Sequence, residues 1–341
     1  MAKYNRRNFI KSLAAAGIGS SFIGGFSAFA KESKVRKNTS KIGIIGLDTS
    51  HAVHFTRFVN VEDEGTDFKD FDIVAAYPYG SRKIPSSYER IPGYIEDVSE
   101  MGVDVVDSIE ELLDMVDYVL LLTNDGNPRY EQALQVMEAG KTMFVDKPVA
   151  ASLKDTIAIM DASREYDVPI FSSSGLRYVE TTQSVRNDNK VGKVLGADAF
   201  TPSIREETHP DLFWYGIHGV ETLFTVLKTG CKHVTRKSSE HTDIVVGTWE
   251  DEVLGVLRGT REGSRGYGGT AYGTDDILVL GGFTGYHGLV KHFIDFFKTG
   301  NPPVSLEETL EIYAFMEAAD ESKRRGGDAV TLEEVIDKAR S

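Results

Sequence analysis

The sequence predicts an α/β protein of two domains: an N-terminal doubly wound parallel sheet, then an α+β domain on a mostly antiparallel sheet. Three observations carry this. Short apolar strands alternate with helical stretches from Lys41 to Ser172, the rhythm of parallel βαβ units. After Arg177 the rhythm changes to stretches with period-two alternation. Without its leader the chain keeps about 310 residues, which suits two domains sharing one cleft.

The leader is residues 1–30. Asn5-Arg6-Arg7-Asn8-Phe9-Ile10-Lys11 is a twin-arginine motif, an apolar stretch runs from Ser12 to Phe29, and Ala28-Phe29-Ala30 fits an A-x-A cleavage site. The stretch is rich in Gly and Ala and only marginally long enough to anchor in a bilayer. The protein is therefore expected to be periplasmic or otherwise exported by the twin-arginine route, with no membrane attachment after cleavage. That route carries folded chains, so a bound cofactor survives export. Residues 31–40 read as a basic, disordered lead-in.

The formal net charge is −14. The leader holds Lys3, Arg6, Arg7 and Lys11 and no acid, which leaves the remainder at −18. Such a surface repels nucleic acid and anionic lipid, and points to a small-molecule partner. Cys231 is alone, so no internal disulfide forms.

Lys41 to Gly46 is the first strand, residues 50–59 read as a helix, and Phe71 to Tyr77 is the second strand. Tyr79 to Ile95, rich in Gly, Pro and Ser, is expected to be a loop. Ser108 caps a short acidic helix, Ile109 to Met115, ahead of a buried strand, Tyr118 to Thr123. Tyr130 to Ala139 is an amphipathic helix closed by Gly140. Thr142 to Asp146 is a strand ended by Lys147-Pro148. These make residues 41–150 a Rossmann-type domain. A helix from Ser152 to Tyr166 and a strand from Val168 to Ser172 form the link, 151–175. In the C-terminal domain, 176–335, β-rich stretches run Val194 to Phe200, His233 to His241, Ile244 to Trp249 and Val253 to Thr260. Helices are expected at Gly216 to Leu227, Leu289 to Lys298 and Leu306 to Arg324, on one face of the sheet.

Four features in order resemble the Gfo/Idh/MocA family, named for glucose-fructose oxidoreductase and inositol dehydrogenase. They are the strand–Gly–helix at Ile42 to Phe55 and the run Ala133-Leu134 through Gly140-Lys141 into Asp146-Lys147-Pro148, similar to the family's E-K-P motif. Next come Trp214-x-Gly216-x-His218-x-x-Glu221, similar to its D-x-G-x-H-x-x-D motif, and the tail from His287 to Arg324. The resemblance covers Lys41 to the end. It implies a nicotinamide cofactor, a carbohydrate-like substrate between the domains, and a homo-oligomer formed through the C-terminal sheet.

The dinucleotide loop departs from the pattern. The G-x-G-x-x-G fingerprint needs its second glycine for the pyrophosphate and its third for helix packing. Here the run is Gly46-Leu47-Asp48-Thr49-Ser50-His51, and only the first glycine remains. A carboxylate about 4 Å from a phosphate costs roughly 4 kcal/mol at an effective dielectric near 20. Two readings follow: a shifted dinucleotide helped by Thr49, Ser50 and His51, or a helix cap in which Asp48 takes the anion position itself. At the second strand's end no acid awaits a ribose, and Ser81 and Arg82 favour NADP at least as much as NAD. The resemblance adds Thr123, Asn124 and Asp146 to the cofactor side, with Arg129 beside the nicotinamide.

The resemblance places Lys147 between nicotinamide and substrate, where an ammonium stabilises a developing alkoxide. His218 is the expected proton relay, with Glu221 one helical turn on to orient it. Trp214 replaces the motif's first acid and suits stacking on a sugar. Arg177, Tyr178 and His209 are expected to line the substrate cleft. No spacing among His218, Glu221, His209, His51 and His54 is a metal signature, so no metal is expected. The expected function is an NAD(P)-dependent oxidoreductase acting on a secondary alcohol of a carbohydrate or polyol, with a tightly held, self-recycling cofactor as a variant. The alternative is a non-redox carbohydrate-binding, lyase or hydrolase-type protein that has lost the dinucleotide.

Overall fold

The computed structural model describes residues 39–61 and 68–341. The twin-arginine segment and its cleavage site lie outside them. Among the described residues, no helix is long and apolar enough to cross a membrane.

The first sheet is six-stranded and parallel, in the order β3-β2-β1-β4-β5-β6. Its strands are β1 (Ser40–Ile45), β2 (Phe71–Tyr77), β3 (Asp104–Val105), β4 (Tyr118–Leu121), β5 (Met143–Val145) and β6 (Ile170–Phe171). Ile42 and Ile44 on β1 and Val119 to Leu121 on β4 are fully buried, because helices cover both faces. The crossovers carry α1 (Ser50–Thr56), α2 (Pro85–Tyr88), α3 (Ile91–Glu100), α4 (Ile109–Met115), α5 (Arg129–Glu138) and α6 (Leu153–Glu165). Helix α1 passes into a π-helical turn, Arg57–Val61. Ser108 caps α4 by accepting from Glu111 N, and the Glu111 carboxylate accepts from Asp107 N, a reciprocal cap.

The expected loop from Tyr79 to Ile95 instead holds α2 and the start of α3. Pro85 and Pro92 each stand in a helix's first turn, where a missing N–H costs nothing. Their Gly- and Ser-rich surroundings hide this in the sequence.

The second sheet has seven strands, β12-β11-β7-β10-β9-β8-β13. They are β7 (Val194–Pro202), β8 (Cys231–Ser238), β9 (Thr242–Trp249), β10 (Leu254–Thr260), β11 (Gly268–Gly273), β12 (Ile277–Leu280) and β13 (Val330–Thr331). All neighbours are antiparallel except β7 and β10. The glycine-rich run is thus partly a strand: Gly269 lets β11 approach β7, since a Cβ there would meet Asp198 O at 2.1 Å. The helices of this half are α7 (Glu180–Asn187), α8 (Asp211–Trp214), α9 (Ile217–Leu227), α10 (His287–Thr299), α11 (Leu306–Arg324) and α12 (Leu332–Arg340).

Two apolar clusters join the halves. Phe293, Phe296 and Phe297 of α10 return to the first sheet and pack with Ile44, Phe55, Phe144 and Phe171. On the opposite face Val149 and Leu153 share a core with Phe213, Phe224, Tyr313 and Phe315. The Tyr313 hydroxyl accepts from Val149 N, just after Lys147. The strand ends that carry Asp146 and Lys147 are therefore gripped from both sides.

Candidate active site

A cavity of about 350 Å³ opens where the carboxyl ends of β1, β4, β5 and β6 face the second sheet. Lys147, at the cis Lys147–Pro148 peptide after β5, and His218, in the first turn of α9, both border it. Thr49, Ser50, His51 and Asn124 border it from the first domain. Trp214, Tyr215, Tyr267, Phe283 and Tyr286 give it an aromatic wall, with the Lys147 ammonium 5.9 Å from the centre of the Tyr215 ring. Polar groups beside aromatic faces suit a hydroxylated ring, whose C–H face stacks while its hydroxyls hydrogen-bond.

Burial pushes the Lys147 pKa down, opposed by the Asp146 charge. Burial, with Lys147 adding to it, holds His218 well below the ordinary histidine range, so its ring is neutral at pH 7. Burial alone would raise Asp146, but the His51, Lys147 and Arg129 charges outweigh it and hold the carboxyl at about 2.

Gly46 fits the first place of a dinucleotide cradle. Its φ is +99°, and a Cβ there would meet Thr123 N at 2.5 Å. Asp48 lies beneath the loop, fully buried, accepting from Ser81 N at 3.2 Å and Asn124 N at 2.9 Å. Of the two placements open to Asp48, this is neither a helix cap nor a side chain in the cavity. The carboxylate staples the ends of β1, β2 and β4, and burial raises its pKa. Thr49 is the residue that caps α1. With Asp48 folded away, Gly46, Thr49, Ser50, Asn124 and Lys147 are the residues that could hold a nicotinamide dinucleotide, which would supply hydride chemistry there.

Residues 40–173 match the profile of an oxidoreductase family with an NAD-binding Rossmann fold, GFO_IDH_MocA. Residues 40–173 are a Gfo/Idh/MocA domain. An uncharacterized oxidoreductase of Streptococcus pneumoniae is 28% identical over 120 residues, 34% of this chain. The chain spans about a third of that relative's length, 32%. A probable dehydrogenase from Thermotoga maritima superposes with a TM-score of 0.70 at 20% identity, over 87% of this chain and 100% of that one. Scyllo-inositol dehydrogenase from Lactobacillus casei, solved with NAD(H) and scyllo-inositol, gives 0.68 at 14% identity, over 86% and 99%. At such identities the likeness carries the two-domain fold.

Around the Gfo/Idh/MocA domain, several residues differ from their expected places. Glu221 does not orient His218. It pairs with Arg177 at 2.6 Å and accepts from Ser173 Oγ at 3.0 Å, while Ser174 Oγ lies 2.8 Å from His218 Nδ1. Arg177 does not line the cavity; it is buried between Glu221 and Glu308, because a guanidinium out of water needs carboxylates on its fork. Tyr178 stacks on His292 at 4.0 Å behind the wall. His209 is buried too: its Nε2 accepts from Gly126 N at 2.9 Å, and burial holds its pKa at about 4 against the pull of Asp125.

On the cofactor side, Arg129 is wholly buried and donates to Thr123 O and Asp146 O, tying β4 to β5 rather than facing the cavity. Ser81 turns inward and its hydroxyl accepts from Lys83 N and Ile84 N. Arg82 lies over Tyr79, 5.3 Å from the ring centre. Thr123 and Asp146 are buried behind the wall. Sequence reasoning missed Ser174 and the aromatic residues other than Trp214. Tyr267, Phe283 and Tyr286 stand among glycines, and large aromatic residues in a flexible, glycine-rich loop were the available signal.

Proposed function

We propose that the chain is an exported NAD(P)-dependent oxidoreductase acting on a secondary alcohol of a carbohydrate or polyol. The observation that carries this reading is that Lys147 and His218, from different domains, border one aromatic-walled cavity together with Thr49 and Ser50 of the turn that follows Gly46. The dinucleotide, when bound, supplies the hydride acceptor or donor. Gly46, Thr49, Ser50 and Asn124 would hold it. Lys147 donates to the reacting oxygen and stabilises negative charge there. An imidazole of the wall, His218 or His51, takes the hydroxyl proton. Tyr215 and Trp214 present ring faces to the substrate and exclude water.

Export rests on Arg6 and Arg7. A tightly held cofactor, regenerated within each turnover, suits a compartment without a free pool. Assembly of copies is supported by the outer face of the second sheet. There Leu254, Ile277 and Val279 are 48%, 61% and 70% exposed beside Phe200 and Tyr272.

The test is to purify protein exported through its own leader, denature it, and measure released nicotinamide dinucleotide. Protein lacking it is then titrated with NAD and NADP and assayed on a panel of polyols and sugars. Bound dinucleotide and alcohol-dependent reduction support the proposal. No binding at millimolar concentration would move the chain to the non-redox carbohydrate reading.

A further inference from the structure

His51 stands at the third-glycine position of the fingerprint, and its side chain reaches across to the end of β5. Its Nδ1 lies 2.7 Å from Asp146 Oδ2. Asp146 is only 2% exposed and does not border the cavity, whereas His51 does. No group among the described residues hydrogen-bonds Nε2 of that ring. A carboxylate on Nδ1 of an imidazole that borders a cavity sets the ring up as a base. The carboxylate accepts from Nδ1–H, leaves Nε2 as acceptor, and stabilises the imidazolium that forms.

His218 lacks this support. Its Nδ1 faces the neutral hydroxyl of Ser174, and the carboxylate on its own helix, Glu221, is held by Arg177. A proton placed on His218 would sit near the Lys147 charge with no carboxylate bonded to the ring. The groups facing His51 are Asp146 after β5, His218 from α9, Phe55 of its own helix, and Tyr286 ahead of α10, whose ring meets it edge-on at 4.7 Å.

We propose that His51 is the proton acceptor of this site, with Asp146 as its positioning residue and His218 as a neutral hydrogen-bonding group toward the substrate. The reaction rests on the oxidoreductase reading; the pairing of His51 with Asp146 does not. During oxidation the substrate O–H bond breaks and its proton passes to Nε2 of His51. The electron pair left on oxygen forms the C=O bond as hydrogen departs from carbon with its bonding pair to the nicotinamide acceptor. In reduction the same proton returns.

Two measurements test this. In full-length protein labelled with ¹⁵N-histidine, His51 is expected to carry its proton on Nδ1, in a carboxylate hydrogen bond whose downfield signal disappears in Asp146→Asn. An Nε2-protonated ring would overturn the proposal. This arm uses neither substrate nor cofactor, so it is judged separately from the oxidoreductase reading. With an alcohol found by the panel, His51→Asn keeps a donor near Asp146 but cannot take a proton. Its kcat should fall about a hundredfold or more with KM within twofold. His218→Asn should keep kcat within tenfold and raise KM. The double variant His51→Asn/Asp146→Asn should be no slower than His51→Asn alone. The opposite ranking of the two histidines, or additive losses, would assign the base to His218.

Discussion

Ser174 Oγ lies 2.8 Å from His218 Nδ1, so a serine at the end of β6 fixes the imidazole that the sequence pattern would give to Glu221. Replacing Ser174 by Ala removes a hydrogen bond of about 1 kcal/mol, roughly fivefold. The expected result is a KM raised by about that factor, with melting temperature little changed. Steady-state kinetics on the panel's best substrate checks it.

Arg177 and Glu221 act on stability. Arg177 is 2% exposed and its ion pairs with Glu221 and Glu308 are 2.6 and 2.8 Å long. Removing one partner strands a buried charge, which costs about 3–5 kcal/mol. Arg177→Ala and Glu221→Gln should each lower the urea midpoint, and a midpoint equal to wild type would contradict this placement.

Lys147 is different in kind, because its ammonium borders the cavity. Lys147→Ala should lower kcat by about 10²–10³-fold, the range for losing a donor to a developing oxyanion. Lys147→Arg should not restore it, since the longer planar fork cannot place one donor at the same point. Circular dichroism should show both variants folded.

Asp320 gives a pH signature. Burial raises its pKa to about 7 from 3.8, with Asp211 and Glu317 adding to the effect and Arg236 opposing it. The folded value lies above the unfolded one, so the folded state binds the extra proton between them. Wild-type stability should therefore fall, relative to Asp320→Asn, as pH rises from about 4 to 7, and the difference should be constant above that. Urea melts at pH 4, 5.5, 7 and 8.5 decide it.

The exposed strand β12 predicts self-association. Val279, 70% exposed, lies on the outer face of the sheet with Ile277 and Tyr272. Val279→Glu should shift the protein toward monomer in light scattering, because a charge buried without a partner opposes assembly. Unchanged mass would place any interface elsewhere.

Much of the fold was legible locally. The apolar runs of β1 and β4, the Ser108 cap and the Gly140 stop each report on a few neighbouring residues, and strand–helix alternation follows from them. Helices α2 and α3 were hidden because Gly and Ser around Pro85 and Pro92 look like a loop until packing rewards the helix. The sequence also marked Lys147 and His218, since motif spacing survives in the chain.

Only tertiary structure decided which charges meet. Whether Glu221 held His218 or Arg177 depended on Arg177 arriving from the end of β6, where burial forces a guanidinium to take every carboxylate in reach. Likewise Asp48 looked like a repellent for phosphate, yet two backbone N–H groups from distant strand ends draw it beneath the loop. His51 and Asp146 are 95 residues apart in the chain and 2.7 Å apart in space. Local periodicity sets elements, whereas pairing of buried polar groups is settled only when those elements close on one another and water leaves.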